Sequence, residues 1–159
     1  MTPLRQALGL ILLAIVCFAV AGIGSLVTMP SVGDWYAGLR KPVWTPPGWL
    51  FGPVWTVLYL SMAVAAWLVW RQLGLSGASV PLAVFGVQLA LNLAWSILFF
   101  GHNNIGLALV DIVLLWLAIV ATVFAFRQVS ILAGWILVPY LIWVTFAATL
   151  NFSIWSMNR

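Results

Sequence analysis

The sequence predicts an all-α fold, an integral membrane bundle of five transmembrane helices, on three observations. Sixty-five per cent of the residues are apolar and five per cent are charged, whereas a soluble domain carries about 25% charged residues. The apolar residues gather into five runs, each as long as the about 20 residues a helix needs to cross a hydrocarbon core. Between the runs lie proline, glycine, asparagine and nearly all the charges. Buried soluble helices would satisfy neither the repeated length nor the lack of charge. Residues 1–159 are therefore expected to form a single five-helix transmembrane domain, with an ordered lid-like loop at about 31–46.

The first span is placed at Leu8 to Val27. Arg5 followed by an apolar run resembles a signal peptide, but Ala7 to Val27 exceeds the about 7–15 residues of such a segment, so a retained span is expected. Gly22 and Gly24 permit close helix contact, and Pro30 helps end the helix. Ser31 to Thr45 forms the loop. The residues before Pro42, Pro46 and Pro47 are pushed away from helical geometry, so an ordered, extended or turned segment is expected there. The second span starts at Pro47 or Gly48, where proline suits a first turn, and runs to Trp70. Pro53 lies further in and predicts a bend near Trp49 to Pro53. Arg71-Gln72 and Gly74 to Ser79 make a short connection to the third span, Pro81 to about Phe100. The fourth runs from Ile105 to Phe126 and the fifth from Ile131 to Trp155, with Pro139 a second kink candidate.

The net charge of +4 comes from Arg5, Arg40, Lys41, Arg71, Arg127 and Arg159 against Asp34 and Asp111. The basic residues sit between or outside the runs, where they face headgroups. Three fall on each side of the bundle, so the positive-inside rule assigns no orientation. They form no dense patch, and nucleic acid is not an expected partner. Cys17, the one cysteine, excludes an intrachain disulfide. His102 has no acidic or thiol neighbour, and no metal site is expected. Asp111 is the acidic residue that falls within a span; a bond to another helix or a hydrated boundary accounts for it more simply than catalysis. No Ser–His–acid set, phosphate loop or carboxylate pair occurs. No catalytic residue is assigned, and enzyme activity is not expected.

Helical spacing of about 3.6 residues per turn divides the third span into two faces. Gly86, Ala90 and Ala94 form a small face suited to a subunit seam or to another span; Asn92, Trp95 and Phe99 project from the other side. In the fifth span Trp143, Ala147, Leu150 and Asn151 share a stripe, with Phe146 beside it. Each Asn alone is explained by a bond between helices. Together with Trp, Phe and Leu walls, the amides suit a rigid apolar ligand. Trp70, Trp116 and Trp155 are ordinary interfacial residues. Trp35, Trp44, Trp49 and Trp55 stand apart, because Pro and Gly separate them around the loop.

Four stretches resemble the tryptophan-rich sensory protein family, also called the translocator protein or peripheral-type benzodiazepine receptor family. They are Trp35-Tyr36-x-x-Leu39-x-Lys41-Pro42-x-Trp44-x-Pro46-Pro47, Phe51-x-Pro53-x-Trp55-x-x-Leu58-Tyr59, Leu91-Asn92-x-x-Trp95-x-x-x-Phe99-Phe100 and Pro139-Tyr140-x-x-Trp143-x-x-Phe146-Ala147-x-x-Leu150-Asn151. The resemblance implies a dimeric five-helix bundle whose pocket binds porphyrins and synthetic aromatic drugs of the benzodiazepine-receptor type. It assigns Trp35 to the lid. Trp49, Asn92, Trp95, Trp143, Phe146, Ala147 and Leu150 are assigned to the cavity, and Gly86, Ala90 and Ala94 to the dimer contact. Arg40 and Lys41 become candidates for meeting ligand carboxylates.

One departure concerns sterol. The family's sterol pattern needs Tyr followed closely by a basic residue, but Phe152 follows Leu150 and Ser156 stands where charge would help. The implied function is a membrane receptor or sensor for porphyrin or a related planar hydrophobic ligand, regulating tetrapyrrole handling or a stress response, with no required cofactor. Its partners are the ligand, membrane lipids and a second copy, in a bacterial membrane, inner or outer. Tetrapyrrole or sterol transport is the first alternative, motivated by Pro53 and Pro139. Light- or oxygen-dependent porphyrin modification is the second.

Overall fold

The computed structural model describes residues 1–159 and contains helices only. Helix α1 spans Pro3–Val32, α2 Trp35–Gly38, α3 Gly48–Gly77, α4 Ser79–Ser96, α5 Ile105–Val129, α6 Ile131–Ile136 and α7 Val138–Asn158. A π-helical turn, Ile97–Gly101, prolongs α4. Five segments are long and apolar enough to cross a bilayer: α1, α3, α4 with its π turn, α5, and α6 with α7. Their outward faces carry residues such as Leu8, Leu12, Ile15, Leu60 and Val110, all exposed. Helices satisfy their own backbone groups, which is what a span in lipid requires.

Local chemistry sets the ends. Thr2 caps α1 by accepting the Arg5 amide at 3.3 Å, with Pro3 in the first turn. Pro30 lies inside the last turn, and the helix ends two residues later at Val32. The loop is ordered, but its first part is a helical turn, α2, rather than an extended strand. Helix α3 runs seven residues past the expected end at Trp70. It absorbs the short connection and breaks helical geometry only at Gly74, whose φ of +69° suits a residue without Cβ. Pro53 sits inside α3 with helical dihedrals, so the expected bend is not a break. The fifth span is interrupted at Leu137, two residues ahead of Pro139; the proline then occupies the first turn of α7, where its missing amide costs nothing.

Helix α5 is central, packed on α4, α6 and α7, while α1 packs on α3. Small residues allow close approach: Ala63, Ala65 and Ala66 on α3 are fully buried, and the Trp70 ring fills the place a Cβ on Gly9 would take. The core joins Met62 and Val69 to Phe85, Leu89, Ile112, Ile119 and Val144. A polar ladder crosses it. The Tyr59 hydroxyl donates to Asn92 Oδ1 at 2.9 Å, Asn92 Nδ2 donates to the Tyr140 hydroxyl at 2.6 Å, and Tyr140 donates to Gln88 Oε1 at 2.8 Å. The ladder ties α3, α4 and α7 together with every hydroxyl proton used, as apolar surroundings demand.

Candidate functional site: a lidded aromatic cavity

Helices α1 and α3 meet at one end and part at the other. At the closed end the Trp67 indole donates to the Gln6 carbonyl at 2.9 Å and Trp70 lies over Gly9. Toward the lid the two helices diverge, and α4 and α7 complete the walls of a cavity of about 470 Å³. Tyr36 of α2 forms its roof, packed against Phe99 at 6.2 Å and Phe100 at 5.6 Å between ring centres. Both Phe rings reach the cavity because the π turn inserts an extra residue and rotates the end of α4. Met29 and Val32 of α1 and Gly48, Gly52 and Thr56 of α3 line the cavity and are also exposed. The wall between α1 and α3 is thus where the cavity meets the outer surface.

Of the residues anticipated for the cavity, Asn92, Trp95, Trp143, Ala147 and Leu150 line it. Asn92 is held by the polar ladder. Trp95 is fixed by donating to Asn151 Oδ1 at 2.9 Å, while Asn151 Nδ2 donates to the Ile105 carbonyl at 3.1 Å. Phe146 stands behind the wall, with ring centres 5.5 Å from Trp143 and 5.7 Å from Trp44. Trp35 backs the roof, edge-on to Phe99 at 5.5 Å. Trp49 points away and is 73% exposed.

The basic pair lies outside the cavity lining. Lys41 Nζ donates to the carbonyls of Tyr36 at 2.7 Å, Leu39 at 3.1 Å and Ala37 at 3.4 Å, and sits 4.7 Å from the Tyr36 ring centre. Its charge therefore stabilises the fold of the lid. Arg40 is exposed, with its main chain bonded to Asn158. Burial pushes the Tyr36 phenol above its ordinary range, so the roof stays neutral at physiological pH. On α4, Gly86 and Ala90 are exposed and Ala94 is half-buried, with no atom near the position of a Cβ on Gly86.

Sequence reasoning missed the contribution of α1, where Phe18, Ala21, Ser25 and Thr28 face the cavity, and the placing of Tyr36 and Trp55 in its wall. The only signal in α1 was the pair of hydroxyls three residues apart. Asp111 is buried on α5 away from the cavity, with Oδ2 unpartnered.

No charged side chain lines the cavity. Most lining amides and indoles are already bonded, but the Trp143 indole N–H is buried without an acceptor. The site therefore offers ring faces, apolar walls and a few hydroxyls, and suits binding better than proton transfer.

The TspO/MBR family pattern matches residues 13–156. The translocator protein of Homo sapiens is 50% identical over 127 residues, covering 79% of this chain and 75% of that protein. The tryptophan-rich protein TspO of Chlorobaculum tepidum is 45% identical over 158 residues, 97% of this chain and 98% of that protein. Protein CrtK of Rhodobacter capsulatus is 40% identical over 153 residues, 95% of each chain. With the family pattern matched over most of its length, a relative matched nearly end to end and five apolar spans, the chain is a multi-pass integral membrane protein and belongs to the TspO/MBR family.

Proposed function

We propose that this protein is a membrane receptor or sensor that holds a porphyrin or a related planar hydrophobic molecule in the lidded cavity. The observation that carries the reading is an aromatic-walled space of about 470 Å³ with no charged lining. Its size falls within the about 300–1,000 Å³ of small-molecule sites. Trp95 and Trp143 supply ring faces and Ala147 leaves the room between them. Occupancy, read through the lid and the helix ends around it, is the signal passed to tetrapyrrole handling or a stress response.

The test is a titration of purified protein in lipid nanodiscs with protoporphyrin, read by tryptophan fluorescence. Saturable quenching is expected, weakened about fivefold by Trp143→Phe, which shrinks the ring face offered to the ligand. Quenching no different from empty nanodiscs would exclude the reading.

The same proposal includes a homodimer. The small face at Gly86 and Ala90, both exposed, and half-buried Ala94 would let a second backbone approach. Ala90→Leu is expected to shift the particle mass in detergent from dimer to monomer. A wild-type protein that is monomeric at high concentration would remove the seam.

A further inference from the structure

Ser31 at the end of α1 donates to the Phe100 carbonyl at 2.6 Å; beyond Val32 the lid has its own internal bonding and one polar attachment to the helices. Gly38 donates to the Asp34 carbonyl, Leu39 to Tyr36, and Thr45 to Pro42, while Lys41 gathers three lid carbonyls. None of these bonds leaves the segment. The exception is Asn158, the last residue of α7 and 118 positions away along the chain. Its Oδ1 accepts the Arg40 amide at 3.0 Å, and its Nδ2 donates to the Arg40 carbonyl at 2.8 Å. The second Nδ2 hydrogen goes to the Ile154 carbonyl at 2.7 Å, one turn back on its own helix.

This is a two-point match between a side-chain amide and a peptide group, with the rotamer fixed from behind. It depends on the Arg40 main chain and leaves the guanidinium free. Its place is informative: Arg40 lies between the two aromatic anchors of the lid, Tyr36 on Phe99 and Phe100, and Trp44 on Phe146. Those ring contacts can slide, whereas a paired amide has one register. Asn158 is itself exposed and is not a lining residue, although it bonds to the main chain of Ile154, which is one, so it can control access without touching a ligand.

We propose that Asn158 is a positioning residue, the latch that holds the lid shut over the cavity and sets how fast the cavity exchanges its contents. The exchange of contents rests on the binding reading above; the latch itself does not. In the ligand-free protein in nanodiscs, Asn158→Ala is expected to raise hydrogen–deuterium exchange of residues 35–46 about tenfold, the loss of two neutral hydrogen bonds. Exchange in α5 and the thermal midpoint should stay at wild-type values. Asn158→Asp keeps the acceptor and loses the donor, and should fall between the two. Protoporphyrin dissociation, followed by recovery of tryptophan fluorescence, should accelerate in the same order.

Lid exchange that is the same in wild type and Asn158→Ala would overturn the latch. A loosened lid with an unchanged dissociation rate would overturn its control of access. A loosened lid in a protein that never binds protoporphyrin supports the latch and removes the ligand reading alone.

Discussion

The two ends of the α1–α3 pair show how one contact makes both a seal and a pocket. At one end Gly9 receives the Trp70 ring and Trp67 bonds to Gln6, so the helices touch with no space left. At the other, Gly48, Gly52 and Thr56 face Ser25 and Met29 across the cavity, and only Tyr36 of the lid covers the gap. Both ends use glycine, with opposite results. Where a large ring from the partner fills the space, glycine brings the helices together; where none does, it leaves a hollow. The cavity is thus a consequence of splayed helices held rigid at their far end.

Breaking the closed end should have the largest effect. Gly9→Leu drives a side chain into Trp70, inside a seam with no slack, and overpacking of this kind costs about 3 kcal/mol. The thermal midpoint in detergent should fall markedly, and ligand affinity should fall with it because the splay angle is lost. A variant with an unchanged midpoint would mean that α1 is free to shift along α3.

Filling the open end separates binding from stability. Ala147 is half-buried against the cavity, and Leu at this position occupies ligand space without disturbing a helix seam. Ala147→Leu is expected to weaken protoporphyrin binding about tenfold to a hundredfold, with a thermal midpoint equal to or above wild type. Unchanged affinity would place the ligand elsewhere.

The same contrast explains what was legible in the sequence. Five runs of apolar residues between charged or proline-rich breaks were enough for the spans, because lipid tolerates no other pattern. On the third and fifth runs a face was readable, since Asn92, Trp95, Trp143 and Ala147 interrupt a uniform apolar background at helical spacing. On α1 it was not: almost every residue is apolar, so the side that faces lipid and the side that faces the cavity look alike. The π turn was equally hidden. Periodicity assumes a constant angle per residue, and one inserted residue turns Phe100 toward the cavity beside Phe99. Lys41 shows a third limit. A basic residue in a loop near a pocket suggests an anion partner, but whether local carbonyls take up its charge depends on a turn conformation that spacing does not reveal.

At the mouth of the cavity, loss of an indole should matter least. Trp49 and Trp143 are both tryptophans assigned to the pocket by resemblance, yet Trp143 lines it and Trp49 is 73% exposed at the start of α3. An indole on the outer surface loses little when removed, because its ring has no ligand face to cover. Trp49→Ala should therefore change protoporphyrin affinity by less than about twofold, against about fivefold for Trp143→Phe. An equal loss from both would require the first turn of α3 to swing inward when ligand binds. That turn has no side-chain cap, and its lid neighbour Trp44 is 45% exposed, so the free energy that opposes such a motion is small. The pair of measurements thus decides whether the open end is a fixed hollow or one that closes on its occupant.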